Sequence, residues 1–218
     1  MMRTRLKVCC MMAVEEARAA VAQGADAVGL VGAMPSGPGP IDDALAAEIA
    51  RAVPPPVATF LLTSFHTGEE IAGHAHKVGA TAVQIVRHIE PREYSGLRRL
   101  LHGVKIVQVV HVEDASALGM AQDYARLADA LLLDSGRPRA ALEELGGTGR
   151  AHDWAVSARI VAGVSVPVFL AGGLNACNVA EAVRRVRPYG VDLCSGVRTD
   201  GWLDAGKLRE FVQALAAS

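Results

Sequence analysis

Aromatic residues are scarce in this chain: Phe, Tyr and Trp together make up 4% of its 218 residues. Single-stranded nucleic acid binders read bases by aromatic stacking, so that class is disfavoured. An excess of charge of either sign is also missing, since 22 basic residues face 23 acidic ones for a net charge of -1. Such a balance creates no overall field to draw in nucleic acid or an anionic membrane, and any anion must be held locally. No segment approaches the ~18 consecutive apolar residues of a membrane span, and the basic first ten residues lack an apolar stretch of signal-peptide length. A soluble, cytoplasmic protein is expected. The four cysteines, Cys9, Cys10, Cys177 and Cys194, lack paired zinc-ligand spacing and do not form the dense pattern of a small secreted scaffold, so free thiols are expected.

What the chain has is apolar material in short runs. Hydrophobic residues reach 51%, enough for a buried core in one domain spanning residues 1–218. Runs rich in β-branched residues fall at 6–9, 27–31, 57–62, 82–86, 105–110, 130–133, 168–171 and 191–194, and predict eight strands. Amphipathic stretches of helical length follow them at 13–23, 42–53, 67–77, 92–101, 116–126, 154–163, 178–187 and 205–217. Gly24 and Gly79 sit where a helix must end in a left-handed residue before the next strand. Eight near-continuous apolar strands, each followed by a helix, predict the α/β class and a parallel sheet closed into a (β/α)8 barrel of the triosephosphate isomerase type.

In such barrels the strand ends and the loops after them form the active face. Three strand ends break into polar or glycine-rich sequence: Leu131-Leu132-Leu133-Asp134, Ala171-Gly172-Gly173-Leu174-Asn175, and Asp192-Leu193-Cys194-Ser195-Gly196. Glycines after the seventh and eighth strands let backbone N–H groups approach an anion, which points to a phosphate cradle at Gly172, Gly173, Ser195 and Gly196. The plainer reading of these glycines is tight turns. Lys7 and Cys9 lie two apart on the first strand and share a face, the barrel lumen. His74 and His76, two apart on a helix, do not share a face and make no metal pair. Thr63, Ser64 and His66 have no partner in sequence that would define a nucleophile.

Taken together, Lys7-Val8-Cys9, Gln23-Gly24-Ala25-Asp26-Ala27-Val28-Gly29, Leu132-Leu133-Asp134-Ser135, Gly146-Gly147-Thr148-Gly149 with His152-Asp153-Trp154, Ala171-Gly172-Gly173-Leu174-Asn175 with Asn178-Val179, and Asp192 with Ser195-Gly196-Val197 resemble the phosphoribosylanthranilate isomerase family over nearly the whole chain. The resemblance implies an Amadori rearrangement of a phosphorylated aminoaldose in tryptophan biosynthesis, with a small phosphorylated sugar as substrate and no metal or organic cofactor. It implies Cys9 as general base at carbon 2 and Asp134 as general acid at the ring oxygen. Lys7 is then the cation that would support a Cys9 thiolate. Gln84 and Asp192 would contact the substrate, and Gly147, Thr148 and Gly149 match a substrate-covering loop. Structural readings stand beside these: Cys9 as a small apolar filler, and Asp134 as a turn carboxylate.

The sequence also departs from the family pattern. Cys10 stands where the family has glycine, and Cys194 and Arg198 replace a serine and a glutamate. The loop Met34-Pro35-Ser36-Gly37-Pro38-Gly39-Pro40 lacks the family's arginine, which approaches the substrate's carboxylate, and the fourth strand runs Val83-Gln84-Ile85-Val86-Arg87-His88 without the usual His-Gly. Arg87 and His88 are candidates to replace the missing cation, or are a solvated loop pair. An isomerase acting on another phosphorylated aminosugar or aldose, and a phosphometabolite-binding barrel without turnover, are alternative readings. Monomer and homodimer both stay open.

Overall fold

The computed structural model describes residues 3–35, 37–136 and 153–218. Eight parallel strands close in sequence order: β1 (Arg5–Val8), β2 (Ala27–Val31), β3 (Ala58–Thr63), β4 (Ala82–Ile85), β5 (Lys105–His111), β6 (Ala130–Asp134), β7 (Val168–Leu170) and β8 (Gly190–Leu193). The helices between and after them are α1 (Val14–Ala22), α2 (Asp43–Ala52), α3 (Gly68–Val78), α4 (Pro91–Leu100), α5 (Ala117–Tyr124), α6 (Trp154–Gly163), α7 (Val179–Val186) and α8 (Ala205–Ala216). This is the (β/α)8 barrel expected from the alternation.

The strands bury both faces, which is why they read as continuous apolar runs. Outward residues such as Leu6, Val8, Val28, Leu30, Leu61, Leu131 and Leu133 join the helices in one large core. Inward residues form a second cluster of Ala27, Phe60, Ala82, Val107, Val109, Ala130, Leu132 and Phe169. Phe60 and Phe169 meet edge to face at 5.7 Å inside the barrel, so the few aromatic side chains are spent largely on packing.

Local chemistry fixes the helix ends. Asp42 caps α2 by accepting from Leu45 N at 2.8 Å, and Thr67 and Glu70 form a reciprocal capping box on α3. Gly79 ends α3 at φ 72°, the left-handed conformation the sequence predicts there. After β8 the chain makes a 3-10 turn, Ser195–Val197, and a small hairpin, β9 (Arg198–Thr199) with β10 (Trp202–Leu203), before α8. Among the described residues no helix is long and apolar enough to cross a membrane.

Candidate active site

A cavity opens at the ends of the strands where the loops begin. Its walls carry Cys9 after β1, Gln84 on β4, Asp134 at the end of β6, Gly172 and Gly173 after β7, and Asp192 with Ser195 at β8. These are seven of the residues singled out in the sequence, and the barrel gathers them from five strands or their loops. The rest of the wall is largely apolar, with Val31, Met34 and Pro38 from the second strand and its loop and Leu62, Val86 and Val109, and it includes the Cys10 and Cys194 thiols. Among the described residues no cation lines it.

Cys9 is placed by its backbone, whose N–H donates to Leu193 O at 2.8 Å just beyond the last β1 pairing. Its sulfur needs room on β2, and glycine supplies it: a Cβ on Gly29 would sit 2.6 Å from Cys9 Sγ and 3.0 Å from Cys9 Cα. Asp134 is half-buried, and its Oδ1 accepts from the backbone N–H of Ser135 at 2.7 Å. Gln84 Oε1 and Asp192 Oδ1 are buried and find no hydrogen-bond partner within the described residues. Orphaned acceptors in a cavity wall mark where a ligand or water must donate.

Lys7 faces the lumen as its spacing predicts, but its charge is directed elsewhere than expected. It is a register partner of Asp192 across the β1–β8 seam, and Nζ lies 2.7 Å from Asp192 Oδ2, with the Phe60 ring 5.5 Å away. Full burial opposes its charge, yet attraction to Asp192, and secondarily to Cys9, outweighs this and raises its pKa above the ordinary lysine value. At Asp192 burial dominates and pushes the carboxyl up, against the pull of Lys7. The lysine direction governs the pair, because an ammonium bonded to a carboxylate at 2.7 Å keeps its proton. Lys7 therefore serves Asp192 first and Cys9 only secondarily. Asp192 in turn holds the floor of the cavity as well as lining it.

The two glycine loops meet through Gly196, where an added Cβ would stand 2.1 Å from the Leu174 carbonyl oxygen. Gly172 and Gly173 both adopt positive φ, 83° and 64°. The loops after β7 and β8 are thus held against each other, and only a residue without a side chain fits at 196. Arg87, a candidate for the mouth or for a solvated loop, does not line the cavity; it is half-buried in the turn after β4, and its carbonyl accepts from Gln108 Nε2 at 2.9 Å. His88 packs on Tyr124, with ring centroids 5.6 Å apart. Gly147, Thr148 and Gly149 lie outside the described residues, as does His152.

Sequence reasoning missed three pairings. Arg198 and Glu16 form a buried ion pair at 3.2 Å, and the guanidinium also donates to the carbonyls of Cys9 and Cys10. Glu16 further accepts from the backbone of Met12 and Leu203, which staples the β1 loop to the hairpin after β8. His74 bridges Thr63 and Asp43 at 3.1 and 3.0 Å, with Thr63 and His74 buried and Asp43 half-buried. Cys10 and Cys194 touch through their sulfurs. The Arg198–Glu16, Thr63–His74 and Cys10–Cys194 pairs carry no local sequence signal, because their members lie from 11 to 184 residues apart.

A family model described as N-(5'phosphoribosyl)anthranilate (PRA) isomerase matches residues 6–214. The chain belongs to that family. The N-(5'-phosphoribosyl)anthranilate isomerase 2 of Methanosarcina mazei is 39% identical over 210 residues, covering 95% of this chain and 92% of the relative. The crystal structure of phosphoribosyl anthranilate isomerase from Thermus thermophilus superposes with a TM-score of 0.81 at 30% identity, covering 98% of this chain and 99% of that one. A further phosphoribosyl anthranilate isomerase, solved in complex with reduced 1-(o-carboxyphenylamino)-1-deoxyribulose 5-phosphate, gives a TM-score of 0.80 at 26% identity over 99% of this chain and 100% of its own. Despite its altered mouth, this phosphoribosylanthranilate isomerase family member keeps the barrel end to end.

Proposed function

We propose that the chain isomerises N-(5'-phosphoribosyl)anthranilate to 1-(o-carboxyphenylamino)-1-deoxyribulose 5-phosphate, in tryptophan biosynthesis, with Cys9 as general base and Asp134 as general acid. The observation that carries this reading is that Cys9 from β1 and Asp134 from β6 line one cavity that continues onto the β7 and β8 loops. An Amadori rearrangement needs an acid and a base on one substrate, with the phosphate anchored away from both.

In this scheme the phosphate rests against Gly172, Gly173, Ser195 and Gly196, whose backbone N–H groups donate to the anion without a side-chain cation. The Asp134 carboxylic acid donates its proton to the furanose ring oxygen, and the ring opens to a protonated imine. The Cys9 thiolate then removes the proton from carbon 2, giving an enolamine that tautomerises to the ketose. Gln84 Oε1, lacking an internal donor, is available to a substrate hydroxyl. Asp192, held by Lys7, presents its second oxygen in the same way. The aryl group fits against Met34, Pro38 and Leu62, which supply an apolar wall.

The test is turnover of phosphoribosylanthranilate followed by the loss of its fluorescence. Cys9→Ala and Asp134→Ala should each lower kcat by roughly 10²–10⁴-fold, the range of general acid–base catalysis, with little change in KM. Wild-type rates in both variants would overturn the assignment of roles. Failure of the unmodified protein to turn over the substrate or to rescue a tryptophan auxotroph would overturn the choice of substrate.

A further inference from the structure

Two of the four thiols meet at the mouth of the barrel. Cys194 Sγ lies 2.6 Å from Cys10 Sγ, across the seam between the end of β8 and the loop after β1. Both belong to the departures in the sequence, and neither has a part in the scheme above. Cys10 holds φ at 66°, a left-handed conformation that a residue with a Cβ rarely adopts and glycine takes freely. A thiol is thus retained at a backbone position that favours having no side chain.

The surroundings keep the sulfurs together. Gly39 packs so closely on Cys10 that a Cβ there would stand 2.6 Å from Cys10 Cβ. Arg198 bonds the Cys10 carbonyl and is itself fixed by Glu16 at 3.2 Å. The two sulfurs also differ in reach and character. Both line the cavity, but Cys10 is buried, whereas Cys194 is partly exposed. The hydrogen bond with Cys10, helped by the Arg198 charge, lowers the Cys194 pKa, and the same contact raises that of Cys10.

We propose that Cys10 and Cys194 are a reversible dithiol–disulfide pair, closed by a small peroxide or a low-molecular-weight disulfide entering the open cavity, that locks the β1 loop to the β8 loop. A disulfide has an S–S distance of about 2.05 Å, so closure asks for a sulfur displacement well under ~1 Å. With hydrogen peroxide, the Cys194 thiolate attacks one oxygen, the O–O bond breaks, and hydroxide leaves to be protonated to water. The sulfenic acid formed on Cys194 is then attacked by Cys10 sulfur. The S–O bond breaks as the S–S bond forms, and the departing hydroxide takes the Cys10 proton as a second water. Two thiols lose two electrons in total, and one peroxide becomes two waters. An added dithiol reverses the reaction by exchange. Cys9, adjacent to Cys10, is an unsuitable partner because their disulfide would close a small strained ring through the intervening peptide.

The experiment treats the purified full chain with one equivalent of hydrogen peroxide or with oxidised glutathione, blocks remaining thiols, and maps peptides without reduction. The expected product has lost two hydrogens, links the peptides carrying Cys10 and Cys194, and leaves Cys9 and Cys177 alkylated. The link should persist in Cys9→Ser. Because the cross-link joins residues 184 apart, it constrains the unfolded chain, so the melting temperature should rise on oxidation and fall back with dithiothreitol. Cys10→Gly and Cys194→Ser should each abolish the rise. A linked product lacking either cysteine, or an equal rise in Cys10→Gly, overturns the proposal. These readouts need no turnover, so the pair stands or falls separately from the assigned reaction.

Discussion

Lys7 and Asp192 are register partners on the strands that close the barrel, and their 2.7 Å ion pair forms the base of the cavity bearing Cys9 and Asp134. With Lys7 fully buried, removing one partner strands the other. Lys7→Met is therefore expected to lower unfolding free energy by about 3–5 kcal/mol, and Lys7→Met with Asp192→Leu to recover much of it. Urea unfolding of the two variants measures both; equal losses would contradict the argument.

Gly196 touches the Leu174 carbonyl so closely that any side chain must push the two phosphate-side loops apart. Gly196→Ala is expected to cost about 1–3 kcal/mol of stability, as overpacking does. It should also raise KM for phosphoribosylanthranilate more than it lowers kcat, because the anchor moves while the acid and base do not. Steady-state kinetics separate the two effects.

Glu16 lies on α1, away from the cavity lining, yet it neutralises Arg198 and bonds the Met12 and Leu203 backbone. Glu16→Ala leaves a buried guanidinium uncompensated and is expected to destabilise by about 3–5 kcal/mol. Glu16→Gln keeps one acceptor oxygen, enough for one of the two backbone groups, and should lose less. Chemical denaturation ranks them, and the reverse order would contradict the staple.

Alkaline pH should also weaken the fold. Tyr94 donates to Gln108 Oε1, and burial, with Tyr124 nearby, raises its pKa well above the usual phenol value. The folded chain keeps a proton that the unfolded chain releases near pH ~10. This contribution is complete below that value and is lost as pH climbs above it. Lys7, also raised, acts in the same direction. Tyr94→Phe should flatten, without abolishing, the decline in urea midpoint above about pH 10.

Much of the barrel was legible because its signal is local. The sequence placed β2 and α6 at their observed bounds, and most other strand ends within one residue. Cys9 and Cys194 were read as strand ends and fall just beyond them; at Cys9 burial continues after the ladder stops. The β9–β10 hairpin was invisible, because two-residue strands have no period to detect. Cys9, Gln84, Asp134, Gly172 and Gly173 were named from motif and position, and they line one cavity. The sequence alone could show that Lys7 faces inward, but the commitment of its charge to Asp192 required the closing seam. The Glu16–Arg198, Cys10–Cys194 and Thr63–His74 contacts arise from tertiary pairing and leave no trace in periodicity.

The charge inside the barrel mouth has a further thermodynamic effect. Among the described residues, two acidic groups, Asp134 and Asp192, line it, and Lys7, which does not, is bonded to Asp192. A sugar phosphate brings roughly 1.5–2 more negative charges into that space. Hydrogen ions from solvent are the ready counterweight, because burial and the nearness of Asp134 already work against the pull of Lys7 at the Asp192 carboxylate. Ligand capture should thus draw a proton with it: calorimetric heats would vary with the buffer's ionisation enthalpy, and affinity would decline as the medium turns alkaline.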